Sequence, residues 1–190
     1  MNRLLWRAAG IVPGLQQQIL ARKYSPLNPS DVAKQVAAIQ AGSECRSVEI
    51  QDVVITVPSD WQDRWTVRTL RGPDRQLVQQ ADCVLYPPPG FYMQWTLYDW
   101  AQDSPEKLAR QVSDQAAQRG WTIRNLRIRT MGDLDVVDAV TVGTNGVTHR
   151  FINFYYKGHE YFCEIKADTP DLFSSGSPLF DACLSTIRFQ

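Results

Sequence analysis

The chain contains one cluster of acidic residues whose spacing could do chemistry: Asp133, Asp135 and Asp138. On a strand, Asp133 and Asp135 would project from one face about 7 Å apart. Such a pair could serve two-carboxylate catalysis or bind a cation. The alternative is a solvated strand edge after the turn at Gly132, where charges discourage aggregation.

The two histidines, His149 and His159, are the other candidates for acid–base or metal chemistry. His159 and Cys163 are four residues apart, which in a strand separates them by about 13 Å, too far to share a metal or a proton. Gly158 also places His159 at a hairpin tip. The chain has no nucleophile-elbow, zinc-protease or phosphate-loop motif. We therefore predict no catalytic residue, no metal site and no cofactor, and keep an Asp133–Asp135 enzyme as an alternative.

Basic residues alternate with apolar residues between positions 123 and 129. The arginines are Arg124, Arg127 and Arg129, and the apolar residues are Ile123, Leu126 and Ile128. Together with Trp121 they could form a platform for an anion or RNA. The alternative is an exposed strand face. Residues 31–190 carry 16 basic and 20 acidic residues, and this balance argues against nucleic acid as a partner.

The first 30 residues are the most basic part of the chain, with four positive charges and no acidic residue. Such a segment suits a membrane surface or an acidic protein partner, or is simply a solvated helix. No apolar run approaches the roughly 18 residues that span a bilayer, and Pro13-Gly14 interrupts the only candidate signal-peptide core. We expect a cytoplasmic protein that can also lie at the cytoplasmic face of a membrane. The predicted partner-binding residues are Arg3, Trp6, Arg7, Arg22 and Lys23.

The four cysteines are too widely spaced for a zinc site and form no C-x-x-C pair. They are Cys45, Cys83, Cys163 and Cys183. Three disulfide pairings are open to four cysteines in an oxidising compartment. Because each cysteine has apolar neighbours, we predict small buried hydrophobic side chains.

Hydrophobic periodicity predicts helices alternating with strands of period two. Helices are predicted over residues 1–22, from Ser30 to Gly42, over Pro105–Arg119, and from Ser177-Pro178 to Ile187. The predicted strands cover Val48–Val57, where the alternation shifts at Asp52, and Trp65–Leu70, Leu77–Tyr86, Phe91–Trp100, Trp121–Arg129, Leu134–Val142, Val147–Tyr156 and Tyr161–Ala167.

The last two strands form a hairpin whose register the sequence predicts. A two-residue turn at Lys157-Gly158 sets Phe154 opposite Tyr161 and Ile152 opposite Cys163 on one face. The other face then pairs Asn153 with Phe162 and Phe151 with Glu164. Aromatic residues on both faces imply a sheet that is covered from both sides by helices.

Three segments resemble PsbP-like domains: the strand end Ile55–Trp61, the helix Ser104–Gly120 ahead of a long hairpin, and the ending Phe154–Tyr161 followed by a helix and Ser185–Phe189. The resemblance covers roughly residues 48–190. It implies an α+β fold in which an antiparallel sheet lies between helices (α/β/α). We divide the chain into a basic N-terminal helical arm, residues 1–45, and a PsbP-like domain, residues 46–190.

The family includes photosystem II extrinsic subunits and assembly factors, a Ran-binding import factor, DcrB-type proteins and Eag-type chaperones. The resemblance therefore implies a non-catalytic protein-interaction module, an accessory or assembly subunit of a larger complex. That complex could be membrane-associated and photosynthetic, at the thylakoid. An Eag-type cytosolic chaperone for a secreted effector is the first alternative, and an enzyme using Asp133 and Asp135 is the second. Exposed aromatics such as Tyr92 would be interface candidates.

Overall fold

The computed structural model describes residues 27–71, 77–86, 89–99 and 104–190. The predicted helix over residues 1–22 lies outside them. The described helices are α1 (Pro29–Ala41), α2 (Pro105–Arg119) and α3 (Pro170–Ser185). The strands are β1 (Cys45–Ile50), β2 (Val53–Pro58), β3 (Gln62–Arg71), β4 (Leu77–Tyr86), β5 (Phe91–Tyr98), β6 (Thr122–Met131), β7 (Leu134–Val142), β8 (Thr148–Tyr156), β9 (His159–Ala167) and β10 (Arg188–Phe189).

Each helix begins at a polar cap followed by proline. Helix α2 has its predicted bounds, with the Ser104 side chain accepting from the Lys107 amide at 3.3 Å. Helix α1 begins one residue before the predicted start at Ser30, because Asn28 caps it and Pro29 occupies its first position. Its Val32 and Ile39 are buried in the domain core. The predicted boundary between residues 45 and 46 stays a prediction.

The predicted start of helix α3 at Ser177-Pro178 is wrong. The helix begins at Pro170, is capped by Thr169, and contains Pro178 in its interior. An interior proline costs a helix about 3 kcal/mol. Seven residues of α3, one of them Gly176, are buried against the sheet and α1, and this packing outweighs the local cost.

The strands form two antiparallel sheets among the described residues. The small sheet has the order β1-β2-β10, and the large one has seven strands in the order β3-β4-β5-β9-β8-β7-β6. The predicted hairpin register of β8 and β9 is confirmed at all four pairs, including Phe154 with Tyr161 and Phe151 with Glu164.

The large sheet has two differently covered faces. Its inner face, which carries Met93, Trp95 and Ile152, joins one hydrophobic core with α1, α3 and the small sheet. Its outer face is packed by α2 at the β6–β7 end, where Leu108 and Ala116 are buried. The predicted α+β arrangement, a sheet between helices, is confirmed.

The cysteines fill space in this core. Cys83, Cys163 and Cys183 are buried, Cys45 is half-buried, and none of the four is in a disulfide. Burial raises the pKa of the Cys83 thiol to about 12 and that of Cys183 likewise to about 12. These thiols therefore stay protonated and unreactive near neutral pH.

Candidate functional site

A polar network lies on the outer face of the large sheet, centred on the buried carboxylate of Asp82. Residues two apart on a strand share a face, so β4 presents Gln80 and Asp82 while β5 presents Gln94 and Thr96. Asp82 Oδ1 accepts from Gln80 Nε2 at 2.9 Å, Gln94 Nε2 at 2.7 Å and Thr96 Oγ1 at 2.7 Å. Asp82 Oδ2 accepts from Arg68 Nη2 on β3 at 2.8 Å.

These bonds fix the charge state of Asp82. Burial raises the pKa of this carboxyl group, but the hydrogen bonds from Gln80, Thr96, Arg68 and Gln94 outweigh that effect and hold the pKa below its usual value. A general acid or base works best with a pKa near the operating pH. Asp82 is therefore a fixed acceptor that holds three strands in register, rather than a proton-transfer group.

A second buried carboxylate, Asp138 on β7, lies on the inner face and accepts hydrogen bonds from three arginines. Arg150 on β8 donates to both oxygens of Asp138 at 3.1 Å, while Arg127 and Arg129 on β6 donate at 3.2 and 2.9 Å. Arg150 also contacts Asp181 of helix α3 at 2.5 Å. This cluster, Asp138 with Arg127, Arg129, Arg150 and Asp181, ties the sheet to α3.

The protonation states in this cluster support a permanent ion pair. Burial raises the pKa of Asp138, and the hydrogen bonds and charge of Arg150, with those of Arg127 and Arg129, hold it below its usual value. Burial lowers the pKa of Arg150, but Asp138 and Asp181 raise it by more. Arg127 and Arg129 thus bind an internal carboxylate, which counts against the anion or RNA platform weighed from the sequence.

The three aspartates that are clustered in the sequence, Asp133, Asp135 and Asp138, do not form one site in the structure. Asp133 lies in the exposed turn between β6 and β7, and Asp135 is exposed on β7, within 3.3 Å of the Thr130 hydroxyl. Asp138 is buried on the opposite face from Asp135. The expected strand face shared by Asp133 and Asp135 is wrong, because the Gly132-Asp133 turn interrupts the alternation.

The histidines also separate. His149 is buried on the outer face, stacked on Trp121 with ring centroids 4.5 Å apart, and its Nδ1 lies 2.7 Å from Glu164 Oε1. His159 begins β9, and its Nδ1 is 3.9 Å from Asp99. His159 and the buried Cys163 are four residues apart on β9, so the strand on which the predicted spacing depends is present. The sequence analysis did not predict the His149–Glu164 contact. The predicted pairing of Phe151 with Glu164 contains the signal, because His149 lies two residues before Phe151 and so is a diagonal cross-strand neighbour of Glu164.

Strand β3 is the most exposed apolar edge among the described residues. Trp65 is 44% exposed and Val67 is 68% exposed, and both project on the inner-face side of the sheet. The Trp65 indole donates to Asp63 Oδ2 at 3.0 Å. At the opposite edge, β6 exposes Ile123 and Ile128 by 37% and 40%. Sequence pattern predicts a strand at Trp65 but cannot tell that it lies at an edge.

A surface cavity of about 490 Å³ lies between the small sheet and the end of α3. It is lined by Gly42, Cys45, Arg46, Ser47, Thr56 and residues 185–188. Arg46 is bound there to Asp63 at 2.7 Å and to the Trp61 carbonyl at 2.6 Å. The Arg46 guanidinium is thus committed to joining the small sheet to β3.

The predicted partner-binding residues Arg3, Trp6, Arg7, Arg22 and Lys23 lie outside the described residues. Tyr92 is half-buried on β5. Within residues 27–71, 77–86, 89–99 and 104–190, no helix is long and apolar enough to cross a bilayer. The same residues contain no group of three or more His, Cys, Asp or Glu side chains placed to hold a metal ion.

Comparison with known proteins identifies the fold. No family model and no curated protein matches the sequence. The solution structure of cyanobacterial PsbP (CyanoP) from Synechocystis is similar over 77% of this chain and 93% of that chain, with 11% identity and a TM-score of 0.53. The chain therefore has a PsbP-like fold, as the sequence resemblance implies.

Two further solved structures are similar at lower TM-scores. The T6SS immunity protein TplEi of Pseudomonas aeruginosa, complexed with "L" peptide, has 12% identity and a TM-score of 0.44, over 87% of this chain and 86% of that one. A protein of unknown function from the same species has 11% identity and a TM-score of 0.47, over 78% and 99%.

Proposed function

We propose that this protein is a non-catalytic protein-binding module, an accessory or assembly subunit of a larger complex. The observation that carries the proposal is the exposure of Trp65 and Val67 on the edge strand β3. Aromatic side chains dominate the energetics of protein interfaces, and an exposed sheet edge is a ready template for another chain.

The polar groups of the site support a binding role over a catalytic one. Asp82 and Asp138 are ionised, and each accepts hydrogen bonds at both of its oxygens. Asp133 is exposed in the turn between β6 and β7, Asp135 is exposed on β7, and the two do not share a strand face. The exposed large apolar side chains among the described residues lie on two strand edges, so no specific observation favours the Eag-type chaperone.

The basic N-terminal residues form a second part of the proposal. We infer that Arg3, Trp6, Arg7, Arg22 and Lys23 add an electrostatic contact to the same partner or to an adjacent membrane surface at the cytoplasmic face. Their four positive charges complement an acidic surface. The PsbP-like fold is in keeping with a photosynthetic complex as the setting.

The β3 contact is tested by placing a photo-crosslinking amino acid at position 67 of the full chain in its native cell. The matched control carries it at position 128, an exposed isoleucine on the opposite edge. We expect a discrete adduct with a protein partner from position 67 and little from position 128. Equal adducts from both edges, or none from position 67, would contradict the proposal.

The N-terminal contact is tested in the same cells by the double variant Arg3→Glu/Arg7→Glu. We expect a lower yield of the position 67 adduct and an unchanged melting temperature. If the yield is unaffected, the N-terminal residues play no part in docking, and the β3 contact stands alone.

A further inference from the structure

The charges along β3 specify which kind of chain its edge would accept. Arg64, Thr66 and Arg68 share the outer-face side of the strand, and Trp65 and Val67 share the inner-face side. Arg64 is exposed, and the Arg68 side chain remains 58% exposed although it binds Asp82. The edge therefore presents two guanidinium groups on one side and two apolar groups on the other.

We propose that β3 takes up an extended segment of the partner protein as an eighth strand, and that this segment alternates acidic and apolar residues. The proposal rests on the proposed function and adds the chemistry of the partner. In a strand added to β3, residues two apart face the same side. The complementary pattern is acidic, apolar, polar, apolar, acidic, set opposite Arg64, Trp65, Thr66, Val67 and Arg68.

The same charges disfavour a second copy of this chain as the occupant. Consider two β3 strands that pair antiparallel, so that the inner face of one sheet continues into the inner face of the other. Only one register then sets Trp65 opposite Val67 of the second copy, and Val67 opposite its Trp65. That register also sets Arg64 opposite Arg68 of the other copy, and like charges directly opposite are destabilising. In the two neighbouring registers, residue 65 or residue 67 lies opposite its own copy. Each of these registers contains a single apolar pair, Trp65 with Trp65 or Val67 with Val67.

Backbone groups supply the rest of the affinity. In an edge strand, alternate residues direct N–H and C=O groups away from their single neighbour. Among the described residues β3 has one hydrogen-bonded neighbour, β4. An added strand would pair these outward groups, and the side chains would choose its sequence.

Two synthetic peptides test the proposal on the full chain: acetyl-Thr-Glu-Val-Thr-Val-Glu-Thr-amide and the same peptide with lysine in place of both glutamates. Binding is followed by amide chemical shifts and hydrogen exchange. We expect the acidic peptide to bind about tenfold more tightly than the basic one, with slowed exchange on β3. Arg64→Glu should reduce or reverse this preference, while Arg124→Glu, on the opposite edge strand, should leave it unchanged.

Equal binding of the two peptides, shifts located away from β3, or no binding of the acidic peptide at about 1 mM would overturn the proposal. Concentration-dependent protection of β3 without peptide would show a second copy as the occupant and would also overturn it. A position 67 adduct whose partner segment lacks the acidic–apolar pattern would refute this inference while leaving the proposed function in place.

Discussion

Two buried carboxylates, Asp82 and Asp138, lie on opposite faces of the same sheet and hold it together in different ways. Both are at most 2% exposed, and both have pKa values below the usual range. Asp138 is held by three arginines beneath helix α3. Asp82 is held by one partly exposed arginine and three neutral donors on the outer face.

The comparison shows that two equally buried aspartates can contribute different amounts to the stability of the fold. The Asp138 cluster joins β6, β7, β8 and α3, and the Arg150 side chain is only 10% exposed. The Asp82 network joins β3, β4 and β5 within one sheet, and solvent reaches Arg68. Removing one member of a buried ion pair leaves an uncompensated charge, which costs more than losing a neutral hydrogen bond.

The largest effect is expected for Asp138→Ala. The substitution leaves Arg150 buried between α3 and the sheet with only Asp181 as a partner, so the free energy of unfolding should fall by about 3–5 kcal/mol. Urea denaturation measures the change. Asp135→Ala, on the same strand but exposed, is the control and should change stability by less than about 0.5 kcal/mol. Equal losses for both variants would show that the cluster is not stabilising.

Asp82→Asn should cost less, about 1–3 kcal/mol. The amide keeps the shape of the side chain but replaces one acceptor oxygen with a donor facing Gln and Thr donors. The same urea titration serves here, with the exposed Asp133→Asn as the control. A loss larger than that of Asp138→Ala would reverse the ranking of the two sites.

The pH dependence of stability is the next effect in size. A carboxyl group whose folded pKa is depressed stabilises the fold above its unfolded pKa, here 3.8, and loses that contribution as the pH falls toward the folded value. We expect the free energy of unfolding to fall below about pH 4 and expect Asp138→Asn to flatten that fall. An unchanged slope between pH 4 and pH 2 in Asp138→Asn would argue against the low pKa of Asp138.

Arg68→Gln should have the smallest effect, about 0.5–1 kcal/mol, because its guanidinium is partly solvated and Asp82 keeps its other three donors. Arg150→Gln is the matched comparison and should cost several times more. Thermal unfolding of the two variants side by side makes this measurement. Similar losses of stability in the two variants would indicate that Arg68 and Arg150 contribute equally to the fold.

Much of the local structure follows from the sequence alone. The bounds of α2 are set by Ser104, Pro105 and Gly120, and Gly120 adopts the left-handed backbone that ends the helix, with φ 66°. The β8–β9 register follows from the Lys157-Gly158 turn, because a two-residue turn fixes every pair beyond it. These features depend on residues close in sequence, and local rules were sufficient for them.

The tertiary structure alone decided the rest. Helix α3 continues through Pro178 because the burial of its apolar residues outweighs the cost of an interior proline. The sequence alone does not show which elements those residues pack against. Which aspartates become buried hubs depends on the order of strands in the sheet, which pairs Asp82 with Thr96 and Asp138 with Ile152. The same order leaves β3 at the edge with Trp65 exposed, because long-range strand pairing carries no signal in the local pattern of either strand.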